Sequence, residues 1–498
     1  MKSSEDQSTD IFPAPVYRKT VLEDLFHNAR LYFLEPLLDI QRAHTLMLAL
    51  QKIIPSSSAV VCLRALRSLD ISAIKTAPYD PSVEDLYFYL EKQLTALCGT
   101  EHAGCMPTAR SRNDIDMTMY RMVIRARTLT LIDSSLSLRQ VLLELAWAHR
   151  ASLLTAYTHQ QPAQPTTLGH YLMASVEWLE RDTRRLQAAY KNLNCSPLGA
   201  CAITGTGFPI DRELTATLLG FDGLQVNTYG AIASVDYLTE ACSALMICMI
   251  NLGRLTQDLL QWSTAEFAYL TLSDAFVQVS SIMPQKRNPV ALEHVRSLAS
   301  RALLAAQGVF TCLHNTPFAD MNDAEDDLQP TAYNAFDDAT RALDLARGLL
   351  QSATFNTDGM ERRTYTNFLT VTELADTLVR SCNISFRTAH EVVSRAVKET
   401  SHTKGDFIAA VERAFPECTG QPLHLTSALL ETALDPRHFV AVRKTIGGPA
   451  LEVLSEDVQT ARKTLANDRS WSEAAAGRLE QARTQLESRI DTYLSQAG

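Results

Sequence analysis

The chain has 498 residues, 46% hydrophobic and 20% charged, which is the balance of an ordinary globular protein. That length exceeds one simple core and implies two to three domains. A formal net charge of -10 excludes general nucleic-acid binding, which needs a basic face, but leaves room for a local basic pocket.

The opening residues, Met1 to Asp10, are polar and acidic with no apolar segment, so no secretory signal is expected and the first dozen or so residues read as a loose tail. The ten cysteines are scattered without a C-x-x-C pair. That is neither a zinc pattern nor a disulfide scaffold, and reduced thiols in a cytoplasmic protein are the simplest expectation. No uninterrupted apolar run reaches membrane-spanning length, so no membrane partner is expected.

Between Thr108 and Gln161 there is no glycine or proline. This predicts a first long helix that ends near Tyr157. Met119, Met122, Val123 and Ala126 mark its buried face. The segment from Pro197 to Glu213 is rich in glycine and proline and predicts a loop or short hairpin. From Ala231 to Met283 only Gly253 interrupts, and the helix there is apolar almost all round apart from Asp236 and Glu240. Such a helix belongs inside a bundle. A third long helix is expected from Val290 towards His314, and a fourth from about Pro330.

Beyond these the pattern shortens. Val371, Leu374, Ala375, Leu378 and Val379 form one apolar stripe, and Ala389, Val392, Val393, Ala396 and Val397 another. They predict a small separate helical domain, with a turn at Ile446–Ala450. Strand signals are sparse, and the expected fold class is all-α. The expected division is an N-terminal helical domain (1–114), a central long-helix bundle (115–365) and a mainly helical C-terminal domain (366–498). A final helix of that last domain is free to pack back on the core. No G-x-G-x-x-G or P-loop pattern occurs.

Three polar islands stand out from this apolar background. The first is T-A-R-S-R-N-D, Thr108 to Asp114, at the start of the first long helix. Arginine forks match carboxylates, and a helix N-terminus favours an anion. The same residues also read as an N-cap with solvated arginines. The second is Y-T-H-Q-Q-P-A-Q-P, Tyr157 to Pro165, where a histidine is either a structural residue or a proton carrier. The third is S-S-I-M-P-Q-K-R-N-P, Ser280 to Pro289, with Glu293 following on the next helix. It reads either as a surface connector or as a loop that grips a carboxylate through Lys286 and Asn288.

The third string resembles the signature loop of the fumarase/aspartase superfamily, S-S-x-M-P-x-K-x-N-P. With R-S-R-N-D, the Tyr157–Pro165 string and Pro197–Glu213, it resembles the argininosuccinate lyase branch in particular. The Thr370–Arg380 and Ile384–Val393 strings resemble that branch's C-terminal domain. The likeness runs from about Ser82 to about Pro449 and implies an all-α homotetramer with each active site built from three subunits.

The resemblance also implies a reaction that needs no metal or cofactor: cleavage of a succinyl C–N or C–O bond with release of fumarate. Ser280 matches the base, and Ser281 stands beside it in the substrate loop. Lys286 and Asn288 match the groups that hold the carboxylate where charge develops. Arg112, Asn113 and Thr158 match groups that hold the succinyl part. His159 matches a histidine that pairs with Glu293 of another subunit. Val279 stands where a glycine commonly precedes the serines.

The chain departs from that branch in the segment Thr316–Leu328. Asp320, Glu325 and Leu328 stand where the branch has a tyrosine, a glutamine and a lysine that meet the amino-acid end of the arginine moiety. Ala43 stands near a substrate-binding serine of the branch. The early part of the chain also resembles, more loosely, enzymes acting on aminocarboxylic acids such as ethylenediamine-N,N'-disuccinate. The leading expectation is a fumarate-forming carbon–nitrogen lyase acting on an N-substituted aspartate. Asp320 and Glu325 would then line the leaving-group side and favour an amine with an extra positive charge. The alternatives are authentic argininosuccinate lyase and a non-catalytic structural relative.

Overall fold

The computed structural model describes residues 12–403 and 406–497. The expected loose tail falls on residues 1–11, outside the described residues. The architecture is all-α, with four two-stranded ladders as its β-structure among the described residues. The elements that matter below are α1 (Leu34–Leu50), α2 (Leu86–Cys98), α3 (Arg112–Ala148), β1 (Leu153–Thr158), β2 (Gln161–Thr167), α4 (Leu168–Leu193) and α5 (Asp236–Trp262). They are followed by β3 (Gln278–Val279), β4 (Arg287–Asn288), α6 (Val290–Leu313) and α7 (Gln329–Ser352). The chain ends with α8 (Val371–Cys382), α9 (Phe386–Thr403), α10 (Phe407–Thr419) and α11 (Leu451–Ala497).

Helix α3 starts where a side chain can satisfy its orphan N–H groups. Ser111 is the N-cap of a capping box, and Asp114 Oδ1 accepts from the Ser111 N–H at 2.9 Å. The other Asp114 oxygen accepts from the N–H groups of Gly199 and Cys201 at 2.8 and 3.0 Å. One buried carboxylate therefore ties the Pro197–Glu213 loop to the helix start. Helices α6 and α7 begin beside prolines, with Pro289 as the α6 N-cap and Pro330 in the first turn of α7. Proline is tolerated there because its missing N–H would have been unpaired anyway.

Helices α3 to α7 form the bundle, α3 packing on α4 and α7, and α6 packing on α5 and α7. One continuous apolar core runs through them and takes in α1, α2 and the Leu454, Val458 and Leu465 face of α11. The final helix packs against α3 and α4. Arg139 of α3, fully buried, pins the three together through Asp468 at 2.6 Å and Glu180 at 3.0 Å. A second apolar cluster, with Leu374, Leu378, Val392, Val411 and Phe415, belongs to α8–α10. The Ile446–Ala450 turn leads into α11. By length and composition α5 could cross a membrane, but it lies in the bundle against α4 and α6.

Two expected helix lengths are corrected. Helix α3 ends at Ala148, not near Tyr157, and the residues that follow form the β1–β2 hairpin. Helix α5 ends at Trp262 instead of continuing towards Met283. The absence of glycine and proline permits a helix without requiring one. Leu153–Thr158 supplies threonines and a tyrosine suited to a strand, and it pairs across to Gln161–Thr167. The hairpin tip needs no glycine because His159 and Gln160 take φ of 52° and 61°. Below the hairpin, a Cβ at Gly169 would stand 2.5 Å from the Ala146 carbonyl oxygen, so the crossing of α4 over the end of α3 requires a glycine.

Candidate active site

The three polar islands are positioned by opposite ends of the bundle. Arg112 and Asn113 open the first turn of α3. The connector between α6 and α7 returns to the same place, where the Asn113 amide donates to Asp320 Oδ2 at 2.6 Å and to the Ala202 carbonyl at 3.1 Å. Asp326, one turn before α7, accepts from the hydroxyl of Tyr120 on α3. A cavity of about 360 Å³ lies there, lined by Arg112, Asn113, Asp116, Asp320, Glu325 and Asp326 among others. Leu328 is 4% exposed and packs into the core instead of lining the cavity.

Electrostatics at this end are dominated by acids. Arg112 is clamped between Asp85 and Asp116, the latter at 3.1 Å, so its guanidinium is already neutralised. Burial pushes Glu325 up to about 8, with the adjacent Asp320 and then Asp116 adding to the effect. Burial also raises Asp320, against a hydrogen bond with Glu325. The pair therefore shares a proton, as two close carboxyls must. Asp116 is pushed up to about 7 by burial and by Asp326, against the pull of Arg112. Asp114, in contrast, is a structural cap, as described above.

The other two islands lie at the far end. His149, at the end of α3, meets the Phe355 ring at 5.3 Å, and Leu270 pairs with Phe355. Arg287 of β4 donates to the Leu272 carbonyl at 2.8 Å and pairs with Asp274. The β3–β4 ribbon carrying the Ser280–Lys286 loop is thereby fixed to this end. The Ser280 Oγ accepts from the Met283 N–H at 3.1 Å and the Ile282 N–H at 3.4 Å. Ser281 and Lys286 are exposed, Asn288 is half-buried, and among the described residues Lys286 makes no ion pair. Val279 and Ile282 are 77% and 83% exposed, so the loop presents apolar side chains to solvent. Glu293 is exposed in the first turn of α6. Thr158 and His159 are exposed at the hairpin tip, beside a second cavity of about 650 Å³ that Tyr171, Arg254 and Asp258 also line.

Helix α6, with 24 residues, is about 36 Å long, and α3, with 37, about 56 Å. Within one chain these lengths separate Arg112, Asn113, Asp320 and Glu325 from Ser280, Lys286, Asn288, Thr158 and His159. No hydrogen bond or ion pair joins His159 to Glu293 within the chain among the described residues. The fold thus brings together Asn113 and Asp320, far apart in sequence, and keeps the succinyl-gripping candidates of the first island from the loop serine. The acids Asp85, Asp116 and Asp326 were not among the expected site residues. Asp116 had a legible signal, its i, i+4 spacing from Arg112. Asp85 had none, because only tertiary packing brings it to Arg112.

A family profile described as "Lyase" matches residues 79–304, and one described as "Argininosuccinate lyase C-terminal" matches residues 368–441. Argininosuccinate lyase 2 of Agrobacterium fabrum (strain C58) is 41% identical over 453 residues, 90% of each chain. Argininosuccinate lyase 1 of Shouchella clausii is 38% identical over 457 residues, 91% of each. Among solved structures, EDDS lyase in complex with formate superposes with a TM-score of 0.86 at 31% identity, covering 97% of this chain and 96% of that one. A class II fumarase from Schistosoma mansoni, at 15% identity and a TM-score of 0.68 over 84% of this chain and 91% of its own, shares the fold. With relatives of this identity spanning nearly the whole bundle and the small C-terminal helices, the chain belongs to the argininosuccinate lyase family within the fumarase/aspartase superfamily.

Proposed function

We propose that this carbon–nitrogen lyase releases fumarate from an N-substituted aspartate by anti β-elimination, and in reverse adds an amine to fumarate. The observation that carries the reading is the environment of Ser280. Its Oγ already faces two loop N–H groups, which favour a negative oxygen over a neutral one. As base, Ser280 takes the proton from the carbon beside the carboxylate. Lys286 and Asn288 hold that carboxylate as the charge develops, and Ser281 adds a donor. The C–N electron pair leaves with nitrogen, which takes a proton through His159, oriented by Glu293 of another copy. Arg112, Asn113 and Thr158 hold the remaining succinyl oxygens.

The same distances support an assembly of several copies. Residues about 36 Å or more apart in one chain meet only if copies combine. Leu304 on α6 and Ile250 on α5 are 70% and 49% exposed, the apolar faces a partner would cover. The proposed assembly is a homotetramer with sites shared between subunits. Its ten cysteines, unpaired among the described residues, suit a reducing cytoplasm.

A second reading, authentic argininosuccinate lyase, is favoured by the names of the relatives at 38–41% identity. Fumarate absorbance on mixing the enzyme with argininosuccinate and with a panel of N-substituted aspartates tests both. Fumarate from some member of the panel supports the lyase. Absence of fumarate from every member, and no amine addition in reverse, would leave a non-catalytic relative.

A further inference from the structure

We infer that the cavity at the start of α3 receives the leaving amine and selects one that carries a second positive charge and no carboxylate, a diamine or polyamine. The inference rests on the lyase reading above and adds the substrate class to it.

The lining divides by chemistry. Leu22, Leu25, Phe33, Leu37 and Met119 form an apolar wall, suited to a methylene chain. Seven carboxyl groups and one guanidinium make up the charged lining among the described residues. That guanidinium, Arg112, is held by Asp85 and Asp116 and is assigned above to the succinyl part, so the lining has no second cation for a carboxylate on the leaving amine. Acids alone would not make a site, since they could be a solvated face. Asp116, however, is 6% exposed, and its Oδ1 is buried without a hydrogen-bond partner. Asp116 lines the cavity, and a buried carboxylate oxygen without a donor is costly. Asp320 and Glu325 likewise have no ion-pair partner among the described residues and share a proton instead. No group of His, Cys, Asp or Glu among the described residues is arranged to hold a metal ion. An alkylammonium ion supplies the missing donors and fits the apolar wall. The α-carboxylate of an arginine moiety would meet the acids.

The test uses the full-length enzyme. Addition of 1,4-diaminobutane, butylamine and arginine to fumarate is followed by loss of fumarate absorbance, with calorimetric titration of 1,4-diaminobutane in parallel. The expected result is a kcat/KM for the diamine at least about tenfold above butylamine, with arginine lowest. In Asp320→Asn the diamine-to-butylamine ratio should fall about tenfold, and diamine affinity should fall with it. Equal rates for the two amines, preference for arginine, or a ratio unchanged in Asp320→Asn overturns the inference while leaving the lyase intact. Diamine binding that depends on Asp320, without any fumarate chemistry, would keep the cation subsite and sink the lyase. Absence of both binding and turnover overturns the inference.

Discussion

Asn113 and Asp320, 207 residues apart in sequence, are joined by a 2.6 Å hydrogen bond that closes the start of α3 onto the α6–α7 connector. The bond places the one amide of the first polar island against an acid that lines the cavity. It should be energetically real. In a double-mutant cycle of Asn113→Ala and Asp320→Ala, thermal or denaturant unfolding should give a coupling of about 0.5–2 kcal/mol. Strict additivity would mean the two side chains do not meet in solution.

Ser280 lies outside the apolar core, and its hydroxyl is engaged with its own loop. Ser280→Ala should lower kcat by about 10²–10⁴-fold, the range for a lost general base, with Tm unchanged. Near-normal turnover would remove Ser280 from the base role.

Lys286 is an exposed cation without an ion pair among the described residues, so its removal should leave folding intact. Lys286→Ala should raise KM and lower kcat together, because a carboxylate grip that strengthens with developing charge serves both the ground and the transition state. A change confined to KM would assign Lys286 to binding alone.

Protons provide a separate check on the acidic cavity. Glu325 is raised to about 8 by burial and by Asp320 and Asp116, with Asp326 also near and Arg112 and Asn113 facing the same space. A folded-state value above the unfolded one means Glu325 contributes stability while protonated, fully below its unfolded range. That contribution is lost as pH rises through about 8. Ligand-free protein should therefore lose Tm as pH rises from about 4.5 to about 8, and Glu325→Gln should flatten the loss. A bound cation favours the ionised carboxylate, so diamine binding near pH 7 should release up to about one proton. Calorimetry in two buffers of different ionisation enthalpy reads this directly. Identical heats in both would contradict the shared proton.

Much of this architecture is legible in the residues themselves. The start of α3 is marked by Ser111 and Asp114 at capping-box spacing, and the starts of α6 and α7 by Pro289 and Pro330. Helix ends are less legible. The threonines and tyrosine of Leu153–Thr158 suit a strand, but no glycine or proline marks where the helix before it stops, and pairing with Gln161–Thr167 decides the conformation. In the cavity, Asp320 and Glu325 stand out by departing from the pattern of the family. The clamp of Asp85 on Arg112 depends on packing across 27 residues, and no local spacing announces it.

The central claim is that one site draws its base from one copy and its Asn113 end from another. The most direct measurement mixes two inactive variants, Ser280→Ala and Asn113→Ala, after dissociation and reassembly into hybrid tetramers. Random mixing should leave about a quarter of the shared sites with both native residues, so fumarate chemistry should return to about that fraction of wild type. Hybrid tetramers confirmed by mass and still inactive would contradict the claim.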